Sequence, residues 1–226
     1  MPGSLYSVAL PIGNSHDLTD RAKTVLSTCD FIACEDTRKL KDLLKRAEIH
    51  TNAKFYIYNA FNEKNSASGL IELLKRGEKG ALVSDAGTPR LSDPGIILLK
   101  LCYAEKIPVV PVPGASALTA LVSVCPFSVD PLLFLGFLSN KSARRQNELK
   151  KHLLFDGTLA VYESVHRIEQ TLADVAIIFP NAPLLIGREI TKDYEEFFLG
   201  TTESVMLWVK GKKGEFALMW KNSPKG

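Results

Sequence analysis

Cysteine is scarce in this chain, with 4 in 226 residues. Cys29, Cys34, Cys102 and Cys125 form no C-x-x-C pair and have no matching histidine spacing. That scatter excludes a disulfide framework and a zinc site as organising devices, and it predicts buried thiols. No apolar stretch is long enough and free enough of charge to cross a bilayer, and the start, MPGSLYSVAL, lacks the basic-then-apolar order of a secretion signal. A cytoplasmic protein with no membrane partner is therefore predicted. Gly/Ser, Gln/Asn and acidic tracts are missing as well, which argues against a disordered arm. The formal net charge of +3 is too small to announce nucleic-acid binding by itself. Neither G-x-x-x-x-G-K-[ST] nor a G-x-G-x-x-G after the first strand occurs, so nucleoside triphosphate and dinucleotide binding lack support.

What is present is an ordinary globular balance, 46% hydrophobic and 23% charged, enough for one large or two modest domains without staples. Basic residues concentrate in RKLKDLLKR (38–46) and KSARRQNELKK (141–151). Each cluster reads equally well as a solvated helix face or as a phosphate-contacting surface.

Short β-like runs alternate with helical periodicities. A strand over Leu5–Leu10 leads through Pro11-Ile12-Gly13-Asn14 to a helix that Asp17 would cap, with Leu18, Ala22, Val25 and Leu26 on one face. Phe31–Cys34 predicts a second strand, followed by Leu40, Leu43, Leu44 and Ala47 at helical spacing. Strands near 54–58, 80–84 and 108–111, with helices near 66–76, 96–104 and from Ser116, complete a β-α alternation. That order predicts a mainly parallel sheet covered on both faces. Turn residues at Cys125-Pro126-Phe127-Ser128 interrupt the pattern and place a boundary between an N-terminal α/β domain (1–125) and a C-terminal α/β domain (126–226). In the latter, strands near 132–137, 158–162, 184–187, 195–199 and 215–220 crowd together toward the end, predicting a mixed sheet.

In an open α/β sheet, ligands bind beyond the carboxyl ends of the strands. Four predicted strand ends carry turns with small or polar residues: Pro11-Ile12-Gly13-Asn14, Glu35-Asp36-Thr37-Arg38, Asp85-Ala86-Gly87-Thr88-Pro89 and Pro113-Gly114-Ala115-Ser116. Their glycines permit close backbone approach, and their N–H groups can bind carboxylate or hydroxyl oxygens.

The segments LYSVALPIGNSHDLTDRAKTVLSTCDFIACEDTR, LVSDAGTPRLSDPG, VPVPGASAL, FLGFLSNK, YESVHRI and REITKDYEE, in this order, resemble the ribosomal RNA small-subunit cytidine-2'-O-methyltransferases of the tetrapyrrole methylase superfamily. The resemblance runs from Leu5 to about Trp220; longer members continue into a small helical extension. It implies two α/β domains with S-adenosylmethionine in the interdomain cleft, a homodimer, and ribosomal RNA of the small subunit as partner. It also implies that Pro11, Ile12 and Gly13 line the cofactor, with Asp85, Gly87 and Thr88 at its edge and Ala115 and Ser116 facing it. Phe137 and Leu138 would meet the adenosine, and Ile190 and the turn at Gly214 would complete the wall. One segment departs from the family, which commonly has histidines in the stretch preceding the N-E pair, whereas this chain reads Tyr58-Asn59-Ala60-Phe61-Asn62-Glu63.

Methyl transfer from a sulfonium to a ribose hydroxyl is an in-line displacement, so the protein must align the hydroxyl and favour loss of its proton, with no metal. Candidates are Glu35, Asp36, Arg38 and Lys192, with Asn62, Glu63, Glu163 and Glu189 behind them. A carboxylate beside Arg38 or Lys192 would stay ionised and make a poor base. The competing reading of Glu35, Arg38, Arg188 and Glu189 is structural ion pairing, that of His166 is helix capping, and that of Phe155, Tyr162, Phe197, Phe198 and Trp208 is core or dimer packing. Two other functions stay open: a methyltransferase acting on a tetrapyrrole or a protein residue, and a non-catalytic RNA-binding relative.

Overall fold

The computed structural model describes residues 2–224. The chain forms two compact units, Met1–Ser116 and Ala117–Gly226, each with its own sheet.

In the first unit, β1 (Ser4–Val8), β2 (Phe31–Cys34), β3 (Lys54–Ile57), β4 (Lys79–Leu82) and β5 (Val109–Val112) form a five-stranded sheet in the order β3-β2-β4-β1-β5. All pairings are parallel. Helices α1 (Asp20–Thr28) and α2 (Thr37–Arg46) cover one face, and α3 (Glu63–Lys75) and α4 (Ile96–Ala104) the other. Burial on both faces explains why β2 reads as the unbroken apolar run FIAC: Ile32 and Cys34 join the α1–α2 core, Phe31 and Ala33 the α3–α4 core. Gly80 makes room for the Phe31 ring, since a Cβ there would lie 2.2 Å from its Cζ. The cap of α1 is Thr19, whose Oγ1 accepts from Ala22 N at 3.1 Å. Asp17 instead ends a short 3-10 turn over Ser15–Asp17, whose cap is Asn14.

In the second unit the order is β6-β7-β10-β8-β9, built from β6 (Leu132–Phe137), β7 (Gly157–Ser164), β8 (Pro183–Arg188), β9 (Glu196–Thr201) and β10 (Glu215–Asn222). β6 runs parallel to β7, whereas β10 is antiparallel to both β7 and β8, and β9 to β8. The sheet is thus mixed. Helices α6 (Ser142–Lys150), α7 (Ile168–Ile178) and α8 (Thr202–Val209) bury Leu149, Leu172, Val175 and Val205 against Leu159, Val161, Ile186, Leu218 and Trp220. Helix α5 (Ala117–Ser123), which the turn residues at 125–128 assigned to the first domain, packs on β10. Leu118 N at its start donates to Tyr162 Oη on β7, and so the units divide before α5.

The aromatic residues Phe155, Phe198 and Trp208 pack against the second core, and Phe198 stacks on Trp208. The cysteines are all free thiols, with Cys29, Cys34 and Cys102 buried. No helix among the described residues is long and apolar enough to cross a membrane.

Candidate active site

Three of the four special turns of the first unit are tied together at one edge of its sheet, and the fourth reaches that edge through Glu35. The chain leaves β1 toward one side of the sheet and leaves β4 toward the other, so β1 and β4 flank the topological switch point where ligands of such sheets bind. An isolated bridge joins the ends of these strands: Leu10 N donates to Gly87 O at 2.9 Å, and Gly87 N to Leu10 O at 3.0 Å. Thr88 Oγ1 donates to Ala115 O at 3.0 Å, tying the β4 turn to the β5 turn. Gly87 has φ +74, and a Cβ on it would meet Ile12 Cγ2 at 3.2 Å and Ala115 O at 3.7 Å. Pro11, Ile12, Gly87, Thr88 and Ala115 therefore share one wall. Ser116 is buried at its end, and Asp85 and Gly13 are exposed at its rim.

Acidic side chains border this edge. Asp85 N donates to Glu35 Oε1 at 3.2 Å, and Lys39 Nζ lies 2.6 Å from Asp85 Oδ2. Burial raises the Glu35 carboxyl above its ordinary value; the Asp85 amide and Lys39 oppose this, and the Asp85 charge adds to it. Asp93, in the loop between β4 and α4, is pushed up to about 6, first by burial and then by the charges of Glu35 and Asp85, against a hydrogen bond with Ser84. Nothing in S-D-P-G marks Asp93 out, because its environment comes from residues distant in the chain.

The other candidates of this unit have structural engagements. Asp36 is the N-cap of α2, accepting from Arg38 N at 2.8 Å and from the Arg38 guanidinium at 3.1 and 2.8 Å. These bonds hold its carboxyl far below the usual range, so Asp36 is no proton acceptor and Arg38 is its partner. Glu63 Oε1 accepts from Gly95 N, Ile97 N and Tyr58 Oη, at 2.9 to 3.0 Å, which caps α4 from another element. Asn62 closes its own loop, accepting from Asn59 N and donating to Ile57 O.

In the second unit, the C-terminal ends of β6, β7 and β8 and the start of β10 lie along one edge. Phe137, Leu138, Ile190 and Gly214 are all found there, Phe137 being 56% exposed and Leu138 and Ile190 buried. Glu189 (φ 49) and Thr191 (φ 68) turn the chain after β8, and Gly214 (φ 120) passes so close to Glu189 that a Cβ would lie 2.5 Å from its Cγ. Lys192 Nζ pairs with Glu189 at 3.0 Å and Glu215 at 2.8 Å. Burial opposes its charge, but these two carboxylates outweigh it and raise the lysine above its ordinary value. Lys192 is a charged tie between two turns. Arg188 pairs with Glu196, His166 is exposed, and Glu163 is buried on Arg167 and Thr171.

Residues 4–205 match the model of the tetrapyrrole (corrin/porphyrin) methylases. The chain belongs to this family. Within it, this methylase is 41% identical to ribosomal RNA small subunit methyltransferase I of Leptospira biflexa, across 96% of its own length and 90% of the relative's. It is 40% identical to the protein of the same name from Bacillus subtilis, across 98% and 76%. Solved structures share the fold at lower identity. Uroporphyrin-III C-methyl transferase from Thermus thermophilus, complexed with S-adenosyl homocysteine, aligns with a TM-score of 0.67 at 16% identity, covering 96% of this methylase and 97% of that chain. A cobalt precorrin-4 methyltransferase aligns with a TM-score of 0.67 at 15% identity, over 96% and 94%.

Proposed function

We propose that the chain is an S-adenosylmethionine-dependent methyltransferase that modifies the ribose 2'-hydroxyl of a cytidine in small-subunit ribosomal RNA. The observation that carries the reading is the gathering of the Pro11–Gly13, Asp85–Thr88 and Ala115–Ser116 turns at the β1/β4 switch point, in a chain about 40% identical to ribosomal RNA methyltransferases over nearly its whole length. Identity to the tetrapyrrole enzymes of the same fold is only 15–16%, which favours RNA over a macrocycle as substrate.

The residues present suit this donor. Glu35, Asp85 and Asp93 border the edge with Lys39 as the paired cation, a field that attracts a positively charged sulfonium and repels a phosphorylated donor. When bound, the donor supplies an electrophilic methyl carbon. The chain's task is to orient the ribose hydroxyl and to take its proton. Asp93 is suited to the latter, because a carboxylate with proton affinity near neutrality is an effective acceptor; Glu35, also raised, supports that affinity through its charge. Asp36 and Lys192 serve as cap and tie.

The test is to incubate the purified protein with S-adenosylmethionine and unmodified small ribosomal subunits, then to analyse the nucleosides by mass spectrometry. A 2'-O-methylcytidine is the expected product, and Asp93→Asn lowers its rate by about 100-fold or more. Donor binding with no transfer to the subunits would remove the RNA substrate from the reading.

A further inference from the structure

The loop between β3 and α3 holds an aromatic ring out in solvent on a braced backbone. Phe61 is 99% exposed, so its side chain adds nothing to either core of the first unit. A singly exposed apolar residue is ordinary on a protein surface, but the backbone that carries this one is tied down by two asparagines. Asn59 Oδ1 accepts from Phe61 N at 3.0 Å and from Asn62 N at 3.2 Å. Asn62 Oδ1 accepts from Asn59 N at 2.8 Å, and Asn62 Nδ2 donates to Ile57 O at 3.0 Å.

The loop is also bonded to the chain on both sides, at the carboxyl edge of the parallel sheet. Tyr58 N donates to Cys34 O at 2.8 Å, which starts the loop alongside Glu35. Glu63 Oε1, on the first residue of α3, accepts from Gly95 N and Ile97 N at 2.9 Å. That bond ties the loop's end to the segment carrying Asp93. Two cations lie here. Lys64 is exposed in the first turn of α3, and Arg90 is exposed in the loop between β4 and α4. Arg90 lies against Gly95, where a Cβ would be 2.7 Å from its Cδ. Neither cation forms an ion pair among the described residues.

An aromatic face beside unpaired cations suits one strand of nucleic acid. Bases of any identity stack on such a ring, and the cations neutralise the phosphates. An apolar protein surface seated there would desolvate both cations without a counter-charge. Glu35 and Asp93 would repel a phosphate passing them, and Arg90 and Lys64 supply the opposite charge. We propose that Phe61 is a stacking platform for an unstacked base of the RNA strand beside the reactive ribose, with Arg90 and Lys64 meeting its phosphates. This rests on the methyltransferase reading above and puts the RNA contact on the first unit. A ring already fixed in place needs little ordering when the base arrives, so its benefit falls on RNA affinity.

Equilibrium binding of the full chain to unmodified small ribosomal subunits tests this with wild type, Phe61→Ala, Phe61→Trp and Arg90→Gln. Phe61→Ala should raise Kd for the subunits about tenfold, with melting temperature and S-adenosylmethionine affinity unchanged. Phe61→Trp should bind the subunits as wild type does. Its added indole fluorescence should be quenched by a single-stranded oligoribonucleotide, as stacking on a base requires. Arg90→Gln should weaken subunit binding and reduce its salt slope by about one phosphate contact. Wild-type affinity in Phe61→Ala, or an indole whose emission the oligoribonucleotide leaves unchanged, would overturn the platform while leaving the methyltransferase reading in place. A wild type that binds the donor but neither binds nor methylates the subunits would overturn the RNA substrate as well.

Discussion

At the scale of single residues, three neighbouring acids have been given different chemistry by their surroundings. Glu35 and Asp36 are adjacent in E-D-T-R, yet one is raised by burial and the other is lowered by Arg38 and the start of α2. Asp93 is pushed up to about 6 from an ordinary 3.8. Its folded pKa exceeds its unfolded one, so its contribution to stability is fully present below 3.8 and is lost as pH rises through about 6. Activity should move the opposite way, rising through about 6 as the carboxylate forms. A pH–rate profile of methyl transfer checks this, and Asp93→Asn should abolish that limb. Glu35→Gln should lower the Asp93 value by removing a like charge, as a carboxyl-carbon NMR titration would show; an unchanged value would mean that the Glu35 charge has no part in setting it. Sequence displayed Glu35, Asp36 and Arg38 together but concealed Asp93, because burial and through-space charge leave no local pattern.

At the scale of elements, most of the architecture could be read from periodicity, because β2 alternates between two helical layers and α1 and α2 present apolar stripes at the interval of three and four. Capping was less visible. Asp17 and Thr19 both suit an N-cap, and only the geometry of the 3-10 turn over Ser15–Asp17 assigns α1 to Thr19. Helix α4 begins at Gly95, which has no side chain, and its amides are satisfied by Glu63 from the start of α3. Such a cap cannot be found by local spacing. Glu63→Ala should cost about 1–2 kcal/mol in urea unfolding. Burial disfavours the Glu63 charge, but the Ile97 and Gly95 amides and the Tyr58 hydroxyl prevail and lower its carboxyl below 4.5. Its stabilisation is therefore present above that value and is lost on acidification, so the variant should approach wild type at low pH.

At the scale of the whole molecule, the near-balanced charge conceals local asymmetry. Lys41 and Lys45 project from α2, on the helix that begins beside the acidic edge, and suit phosphate contacts that position RNA without reading its bases. A Lys41→Glu/Lys45→Glu double variant should weaken binding to small ribosomal subunits and flatten its salt dependence by about one to two phosphate contacts, while leaving donor affinity unchanged. The unit division was less legible than the sheets: Pro126 and Phe127 do bend the chain, but α5 before them packs on β10, the last strand in sequence and the central one of the second sheet. The account as a whole depends on the first unit's turns forming a seat for a sulfonium donor. Its most direct test is equilibrium titration of S-adenosylmethionine into wild type and Gly87→Ala, whose new Cβ would strain a backbone at φ +74 and crowd Ile12. Binding by wild type, weakened about tenfold or more in the variant, is the expected result. Absence of binding to wild type at millimolar donor, or equal binding by both, would contradict it.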